Sequence, residues 1–433
     1  MSRAKRTLEL ARLQADQTNN RDAEENEISL DLNDDQRVDD PESDANKCEI
    51  DPFLPNAPLL INSLDKSVVY PKRNQKTILL NEGDQINFAC PQSEVHYKGA
   101  EITKSGAKDL VAAKCKNNSF KVKKDSFEWK HITCKLKPKA AVDLSNRPCA
   151  TNARYANIGY LLSDRTFIQI IEICFDTKQE ITLFSKHKVP ACINSRDKST
   201  LRPTYWQTDS GFFTKRYNFH ELYKKINEMQ TIKGLLGIND NDSKFMDNSS
   251  LYLARGHLAS RCDFVYGPFQ DATFRYINTA PQWQSFNGGN WLKIENDIRK
   301  YAHNKEVDLD VWTGTYEVTK LPHMITGQDI MLSLYSNKGK QDVFIPAIFW
   351  KVVYCRTNGH GIVIIGVNNP YEKNTQRNKF VPSLVRQEFL RSKYSPMFKF
   401  FNKYGHFTST QPLLQQSQDT MASGEAARKE LLT

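Results

Sequence analysis

Short apolar runs, rather than long amphipathic stretches, dominate the middle of the chain. The run 166–175 is rich in β-branched and aromatic residues and predicts a buried strand. Three further runs of this kind predict strands at 310–314, 345–354 and 361–367. Pro346 has no amide proton to give to a ladder, so we expect it at a strand start or a sheet edge. This part of the chain is therefore predicted to be mainly sheet.

Helical periodicity occurs at two places. Residues 217–229 form one candidate helix, and the clearer one begins near Asn290. In the second, apolar residues recur at helical spacing and form one stripe: Trp291, Ile294, Ile298 and Tyr301. Glu295 and Arg299 are four residues apart, so they share a face to one side of that stripe. Taken alone, such a pair indicates an ordinary contact on a helix surface.

The regions on either side of this core differ in composition. Residues 51–150 contain short strand-like runs separated by Asn, Gly, Pro and Asp, which is typical of a small β module or, equally, of the front part of one larger domain. The core domain is predicted at 151–406. Residues 1–50 and 407–433 are expected to be disordered tails, because they contain too few apolar groups to offset the entropy of ordering.

Charge is distributed unevenly along the chain. The formal net charge is +10, yet residues 21–50 carry twelve acidic and three basic side chains and residues 51–433 carry a net charge of +17. A basic body suits a polyanionic partner, since lysine and arginine that neutralise phosphates release condensed counterions. Excess lysine also keeps proteins soluble, so charge alone does not decide between the two. The acidic N-terminal segment is either a solvated tail or a competitor of nucleic acid for the basic body.

The nine cysteines show no Cys-x-x-Cys pair and no spacing typical of zinc sites. Four of them recur every 15 to 25 residues between Cys90 and Cys149, which indicates a disulfide framework and an oxidising compartment. The odd total leaves at least one thiol unpaired or paired with another chain. The N-terminus has no apolar stretch of signal-peptide length, and no segment is apolar for long enough to span a membrane.

Phosphodiester hydrolysis needs a base for the attacking water, a cation for the phosphoryl oxygens and stabilisation of the leaving oxygen. Neutral histidine suits the first task, arginine the second, and an oxygen ligand for Mg²⁺ the third. The segment 252–301 supplies these types in order, in Arg255-Gly256-His257, Asn278, Asn287, Glu295 and Arg299. Each residue alone is a weak signal, because a lone histidine is more often structural than catalytic.

In order and spacing, this set resembles the signature of the DNA/RNA non-specific endonucleases, a branch of the ββα-metal (His-Me finger) nucleases. Asn278 and Asn287 are nine residues apart, Glu295 follows Asn287 by eight, and Arg299 follows Glu295 by four. The resemblance implies an α+β fold, in which a ββα-metal core has a central antiparallel sheet flanked by helices and follows the cysteine-rich β module. The front half is similar to the arthropod secreted branch, which includes enzymes that degrade double-stranded RNA.

The resemblance also implies a role for each motif residue. His257 would be the general base, Asn287 the sole direct protein ligand of Mg²⁺, with Mn²⁺ as an alternative ion, and Glu295 would hold metal-bound waters. Arg255 would contact the phosphate or the leaving side. Asn278 and Arg299 would support the site. Arg202 matches a further phosphate-binding arginine of the family only loosely, and a solvated arginine explains it equally well.

The sequence departs from the family pattern at Ala254, where the family has aspartate. Loss of that carboxylate should weaken metal binding unless another group compensates. Two hypotheses follow. The first is a secreted, Mg²⁺-dependent, sugar-non-specific endonuclease that cleaves DNA and RNA through backbone contacts, double-stranded RNA included. The alternative is a nucleic-acid-binding protein on a nuclease scaffold, with little turnover. Neither involves a membrane, and the oligomeric state is left open.

Overall fold

The computed structural model describes residues 47–103, 106–200, 203, 205–214, 218–239, 246 and 251–371, together with the backbone of residues 408–409. Most of both predicted tails, and Arg202, therefore lie outside the described residues. The described part is a mixed fold, rich in strands and with few helices, as an α+β chain requires.

The front region is built from short strands. These are β1 (Cys48–Ile50), β2 (Leu59–Asn62), β3 (Ile78–Leu80), β4 (Gln85–Ala89), β5 (Val95–Tyr97), β6 (Ala100–Glu101), β7 (Leu110–Lys116), β8 (Ser119–Val122), β9 (Asp125–Phe127) and β10 (Ile132–Cys134). Strands β2, β4, β7, β8 and β9 form a five-stranded sheet in the order β2-β4-β7-β8-β9. Buried and exposed residues alternate along β7, because successive side chains of a strand point to opposite faces.

The front region has an apolar core of its own and also packs on the rest of the chain. Phe88, Phe120 and Trp129 are buried together in its centre. On the other face of the sheet, Leu59 and Ile61 join the largest core cluster of the protein. The region therefore has the core of a module and a buried contact with the larger body.

An antiparallel sheet forms the body. Its strands and those around it are β11 (Ala141–Ala150), β12 (Ala153–Leu161), β13 (Phe167–Asp176), β14 (Ile181–Val189), β15 (Leu253–His257), β16 (Thr279–Trp283), β17 (Leu309–Val318), β18 (Lys320–Pro322), β19 (Asp329–Met331), β20 (Ser333–Asn337), β21 (Lys340–Phe344), β22 (Pro346–Cys355), β23 (Gly361–Val367) and β24 (Thr408–Ser409). Eight of them make one sheet in the order β11-β12-β13-β14-β17-β22-β23-β24. Only the short pairing of β23 with β24 in this sheet is parallel.

The strand predictions are confirmed at β13, β17, β22 and β23, and Pro346 is the first residue of β22, as expected. Strand β11 lies within the predicted front region, yet it is the edge strand of the eight-stranded sheet. Strand β24 lies within the predicted C-terminal tail. The domain boundaries thus stay a prediction.

Helices pack around this sheet. They are α1 (Phe219–Leu222), α2 (Lys225–Leu236), α3 (Gly267–Ala272), α4 (Gln284–Phe286) and α5 (Leu292–Asn304). The candidate helix at 217–229 is two helices, interrupted at Tyr223 and Lys224; the side chain of Asn218 caps the first by accepting from the amide of Glu221. Helix α5 is confirmed where it was predicted, with Ile294 and Ile298 buried on its apolar stripe. No helix in the described ranges is both long and apolar enough to cross a membrane.

Three disulfide bonds confirm the predicted cysteine framework. They join Cys48 to Cys115, Cys90 to Cys134 and Cys149 to Cys174. The four regularly spaced cysteines are all bridged, two of them to partners outside that run. Cys192, Cys262 and Cys355 are free thiols.

Thiol counting should reproduce this pattern. Alkylation of the denatured, unreduced protein is expected to label three cysteines, and alkylation after reduction all nine, as read from intact mass. More than three labelled thiols in the unreduced protein would contradict the assignment of the bridges.

Removing the Cys90–Cys134 bridge by a double serine substitution should lower the free energy of unfolding by about 2–5 kcal/mol, because the bridge constrains the unfolded chain.

Candidate active site

A two-stranded hairpin carries the first motif residues. Strands β15 and β16 pair in antiparallel fashion, with Arg255 opposite Pro281 and His257 opposite Thr279. Because side chains alternate along a strand, Arg255 and His257 project from one face of this hairpin. Ala254 and Gly256 project from the other. Strand β16 leads directly into α4, a short turn and helix α5.

Aromatic rings fix the orientation of His257. Its imidazole packs against the ring of Trp206, with centroids 4.7 Å apart, and meets the ring of Phe274 edge-on at 4.9 Å. The residue is half-buried, and its Nε2 atom is buried among these neighbours. A base needs a fixed orientation of this kind.

Arg255 shares the aromatic wall of His257. Its guanidinium lies 5.9 Å from the centroid of Trp206 and 5.0 Å from that of Tyr223. Its Nε donates to the hydroxyl of Tyr276 at 3.3 Å. Its Nη2 donates to the carbonyl of His220 at 3.5 Å. The guanidinium is thus held by ring faces and two hydrogen bonds, and a phosphate could approach its remaining N–H groups.

Asn278 is fully buried and supports the backbone that follows His257. Its Oδ1 accepts from the amide of Ala259 at 2.9 Å. Its Nδ2 donates to the carbonyls of Ala259 and Thr273, each at 3.0 Å. All of these bonds are internal, so the geometry gives Asn278 a supporting position rather than contact with a ligand.

Asn287 begins a kinked turn, Asn287–Trp291, that precedes α5. The backbone of Gly289 in this turn is not helical, so the chain changes direction between α4 and α5. The amide nitrogen of Asn287 donates to Oε1 of Gln284 at 3.1 Å. This bond uses the nitrogen, so the side-chain oxygen remains as the candidate metal-binding atom.

Glu295 lies in the first turn of α5 and is nearly buried. Its Oε2 accepts from the hydroxyl of Ser260 at 3.0 Å, and its Oε1 lies 3.9 Å from Nζ of Lys351. Burial raises the pKa of Glu295, while the positive charge of Lys351 opposes that shift. The loop that follows His257 and the central sheet therefore both contact this carboxylate.

Arg299 belongs to a buried network and does not form the helix-surface pair with Glu295 that spacing alone suggested. Its guanidinium donates to Oδ1 of Asp263 at 2.7 Å, and Oδ2 of Asp263 lies 2.8 Å from Nε2 of His187. Burial alone would raise the pKa of Asp263, but the hydrogen bond with His187 and the charge of Arg299 hold it well below its usual range. Arg299 thus lies inside the protein with Asp263 as its partner, and its support of the site stays a prediction.

Gln282 lies next to Ala254, the position at which the family has aspartate. It is opposite Ala254 in the hairpin and fully buried, and both polar atoms of its side-chain amide lack a hydrogen-bond partner among the described residues. A Cβ atom at Gly256 would come within 2.5 Å of its Oε1, so the motif glycine makes room for this amide. A carboxylate at position 254 would give the amide a partner.

Sequence reasoning missed the buried partners of the motif residues. Asp263 and His187 carry no motif, and they meet only through the fold. Lys351 did leave a signal, since it is the one charged residue in the apolar run of β22. Arg202 lies outside the described residues, so its placement stays a prediction.

The donor atoms of this site suit a hard divalent cation. In the described ranges, no group of three or more His, Cys, Asp and Glu side chains comes together as a metal cluster. The oxygens of Asn287 and Glu295 are nevertheless the ligand type that Mg²⁺ prefers, and Mg²⁺ usually keeps several waters and takes one or two protein groups. The residues present therefore fit a sparsely ligated Mg²⁺ and do not fit a structural zinc.

Comparison with known proteins supports this interpretation. Residues 151–395 match the model of the DNA/RNA non-specific endonucleases. A salivary endonuclease of Lutzomyia longipalpis is 26% identical over 336 residues, which cover 75% of this chain and 77% of the relative. Salivary protein Tsal1 of Glossina morsitans morsitans is 24% identical over 305 residues, which cover 69% and 71%.

A solved chain of the EndoG/EndoGI complex aligns with 16% identity over 47% of this chain and 74% of that chain, with a TM-score of 0.32. That overlap is too low to support an argument about the fold. The family match, in contrast, spans more than half of the chain and contains every motif residue of the segment 252–301. The protein therefore belongs to the DNA/RNA non-specific endonuclease family, with arthropod salivary proteins among its relatives, and it is a nuclease.

Proposed function

We propose that this protein is a secreted, Mg²⁺-dependent, sugar-non-specific endonuclease that hydrolyses the phosphodiester bonds of DNA and RNA, double-stranded RNA included. One observation carries the proposal: the hairpin presents Arg255 and His257 on one face, and the chain then runs directly through Asn287 to Glu295. On this proposal β15, β16 and α5 form the ββα-metal core. The three disulfide bonds and the salivary relatives support secretion.

The residues divide the chemistry between them. His257 would take the proton of the attacking water, a task for which a neutral imidazole is suited near neutral pH. Arg255 would bind the phosphate through its planar fork and offset the developing charge. Asn287 would hold Mg²⁺ through its side-chain oxygen, and Glu295 would accept hydrogen bonds from the water around the ion. When bound, the ion supplies a positive charge that stabilises the leaving oxygen.

Recognition through the phosphate backbone explains why both sugars would be accepted. Contacts with phosphate fix the position of a nucleic acid and carry no sequence information. The formal net charge of +17 in residues 51–433 would strengthen such contacts through counterion release. Cleavage is therefore expected with little dependence on base sequence.

Purified protein, incubated with plasmid DNA and with double-stranded RNA, tests the proposal directly. Cleavage of both is expected in Mg²⁺ and none in EDTA, as read by gel electrophoresis.

The competing function, a nucleic-acid-binding protein with little turnover, is favoured by Ala254 and by the unpaired amide of Gln282. Tight, salt-sensitive binding without cleavage in Mg²⁺ or Mn²⁺ would establish that function instead.

Restoring the family carboxylate should strengthen metal binding. In Ala254→Asp, the new carboxylate would face Gln282 and accept a hydrogen bond from its amide. The family resemblance implies that this carboxylate helps to order metal-bound water. The Mg²⁺ concentration for half-maximal cleavage should fall by about tenfold, at the lower end of what such supporting groups contribute. Titration of the initial rate with Mg²⁺ measures this. Ala254→Asn, which adds the shape without the charge, should change it much less, and an unchanged requirement in both variants would show that position 254 does not act on the ion.

A further inference from the structure

A lysine is buried in the middle of the central sheet. Lys351 lies on β22 and is 0% exposed, a state that lysine adopts almost only when it is paired. Its Nζ donates to Oγ1 of Thr313 at 2.7 Å, and Thr313 is directly opposite on β17. The ammonium is thus anchored on a strand of the sheet beneath α5.

The ammonium of Lys351 points toward the site. Its Nζ lies 3.9 Å from Oε1 of Glu295 and 5.1 Å from the centroid of Trp291, which ends the turn that starts at Asn287. Ser260, three residues after His257, donates to the other oxygen of Glu295 at 3.0 Å. The carboxylate is therefore contacted at both oxygens, from the sheet on one side and from the catalytic hairpin's loop on the other.

Charge balance favours Glu295 as the main partner of Lys351. The buried charged groups here are two cations, Lys351 and Arg299, and two anions, Glu295 and Asp263. Asp263 already binds Arg299 and His187 directly. Lys351 is the cation that contacts the carboxylate of Glu295. Burial lowers the pKa of Lys351, and the carboxylate of Glu295 opposes that shift.

We propose that Lys351, anchored on Thr313, is a positioning residue for cleavage, which holds Glu295 as an oriented carboxylate at the metal site. This inference rests on the proposed function, because Glu295 acts only if the site cleaves. Without Lys351, the carboxylate would be buried without its cation, and it would either turn away or take up a proton. In both cases it would stop ordering the water around the ion.

A double-mutant cycle tests this role. Lys351→Met keeps the length of the side chain and removes its charge, and Glu295→Gln keeps the shape and removes the carboxylate. Each single variant is expected to lose about 10–100-fold in cleavage rate at saturating nucleic acid, the range found when groups supporting a metal site are removed, and to need more Mg²⁺ for half-maximal rate. In the Glu295→Gln background, adding Lys351→Met should cost less than threefold further, since Lys351 acts through Glu295.

The controls separate this role from general damage to the fold. Lys188→Met removes an exposed lysine from the same sheet, one that is paired with Asp308 at 3.2 Å, and should leave the rate unchanged. Nucleic-acid binding in EDTA should be equal in all variants. If Lys351→Met alone does not fold, the double variant, which lacks both charges, should fold and match Glu295→Gln in rate.

Two results would overturn the inference. One is a folded Lys351→Met protein with wild-type rate and Mg²⁺ dependence. The other is an equal further loss when Lys351→Met is added to Glu295→Gln, because a lysine that acts independently of Glu295 gives additive losses. Absence of Mg²⁺-dependent cleavage in the wild-type protein would instead remove the proposed function, so the two failures are distinguishable.

Discussion

Replacement of His257 by alanine is expected to lower the rate of Mg²⁺-dependent cleavage by about two to four orders of magnitude, the usual contribution of a general base. Trp206 and Phe274 hold the imidazole in place, so alanine leaves a gap where the water would lose its proton. Arg255 and Asn287 remain, and binding should persist. Single-turnover cleavage of labelled duplex gives the rate, and filter binding in EDTA gives the affinity.

The matched control is His131→Ala, which removes a partly exposed histidine from the front region and should retain wild-type cleavage. An intact fold in both variants is verified by thermal unfolding. If His257→Ala keeps more than a tenth of the wild-type rate, His257 is not the base. Equal loss of binding and cleavage would place His257 in substrate binding rather than in proton transfer.

The strands and the helix that were predicted correctly are those whose own residues specify them. Strands β13, β17, β22 and β23 were predictable because each contains a short run rich in β-branched and aromatic residues. Helix α5 was predictable from its apolar stripe. The break between α1 and α2 was not, since the apolar pattern continues across Tyr223 and Lys224.

The buried surroundings of the candidate site could not be predicted, because they depend on contacts between segments that are far apart in the sequence. The order of Arg255, His257, Asn287 and Glu295 was visible because these residues lie within 41 positions of one another. Their buried support comes from His187, Asp263 and Lys351, and no spacing rule connects β14 to the loop after His257 or to β22. Charged residues in apolar surroundings, such as Lys351 in β22, are the signal that a sequence offers for such support.

Substitution of Asp263 by asparagine is expected to lower the free energy of unfolding by about 3–5 kcal/mol at neutral pH, the usual effect of removing one partner of a buried ion pair. Asparagine keeps the shape and leaves Arg299 buried without its anion, and it weakens the contact with His187. Urea unfolding measures the change. Asp308→Asn, in the exposed pair with Lys188, should cost less than about 1 kcal/mol.

The dependence on pH distinguishes loss of charge from loss of packing. The pKa of Asp263 lies well below its usual range in the folded protein, so its stabilisation is present above the unfolded value of about 3.9 and is lost as the pH falls toward the folded value. The difference in stability between the wild type and Asp263→Asn should therefore be full at pH 6 to 7 and should shrink below about pH 4. A difference that stays constant down to pH 3 would mean that asparagine disturbs packing at this position. A difference that shrinks would show that the ionised carboxylate itself stabilises the fold, through its contacts with Arg299 on α5 and with His187 on the sheet.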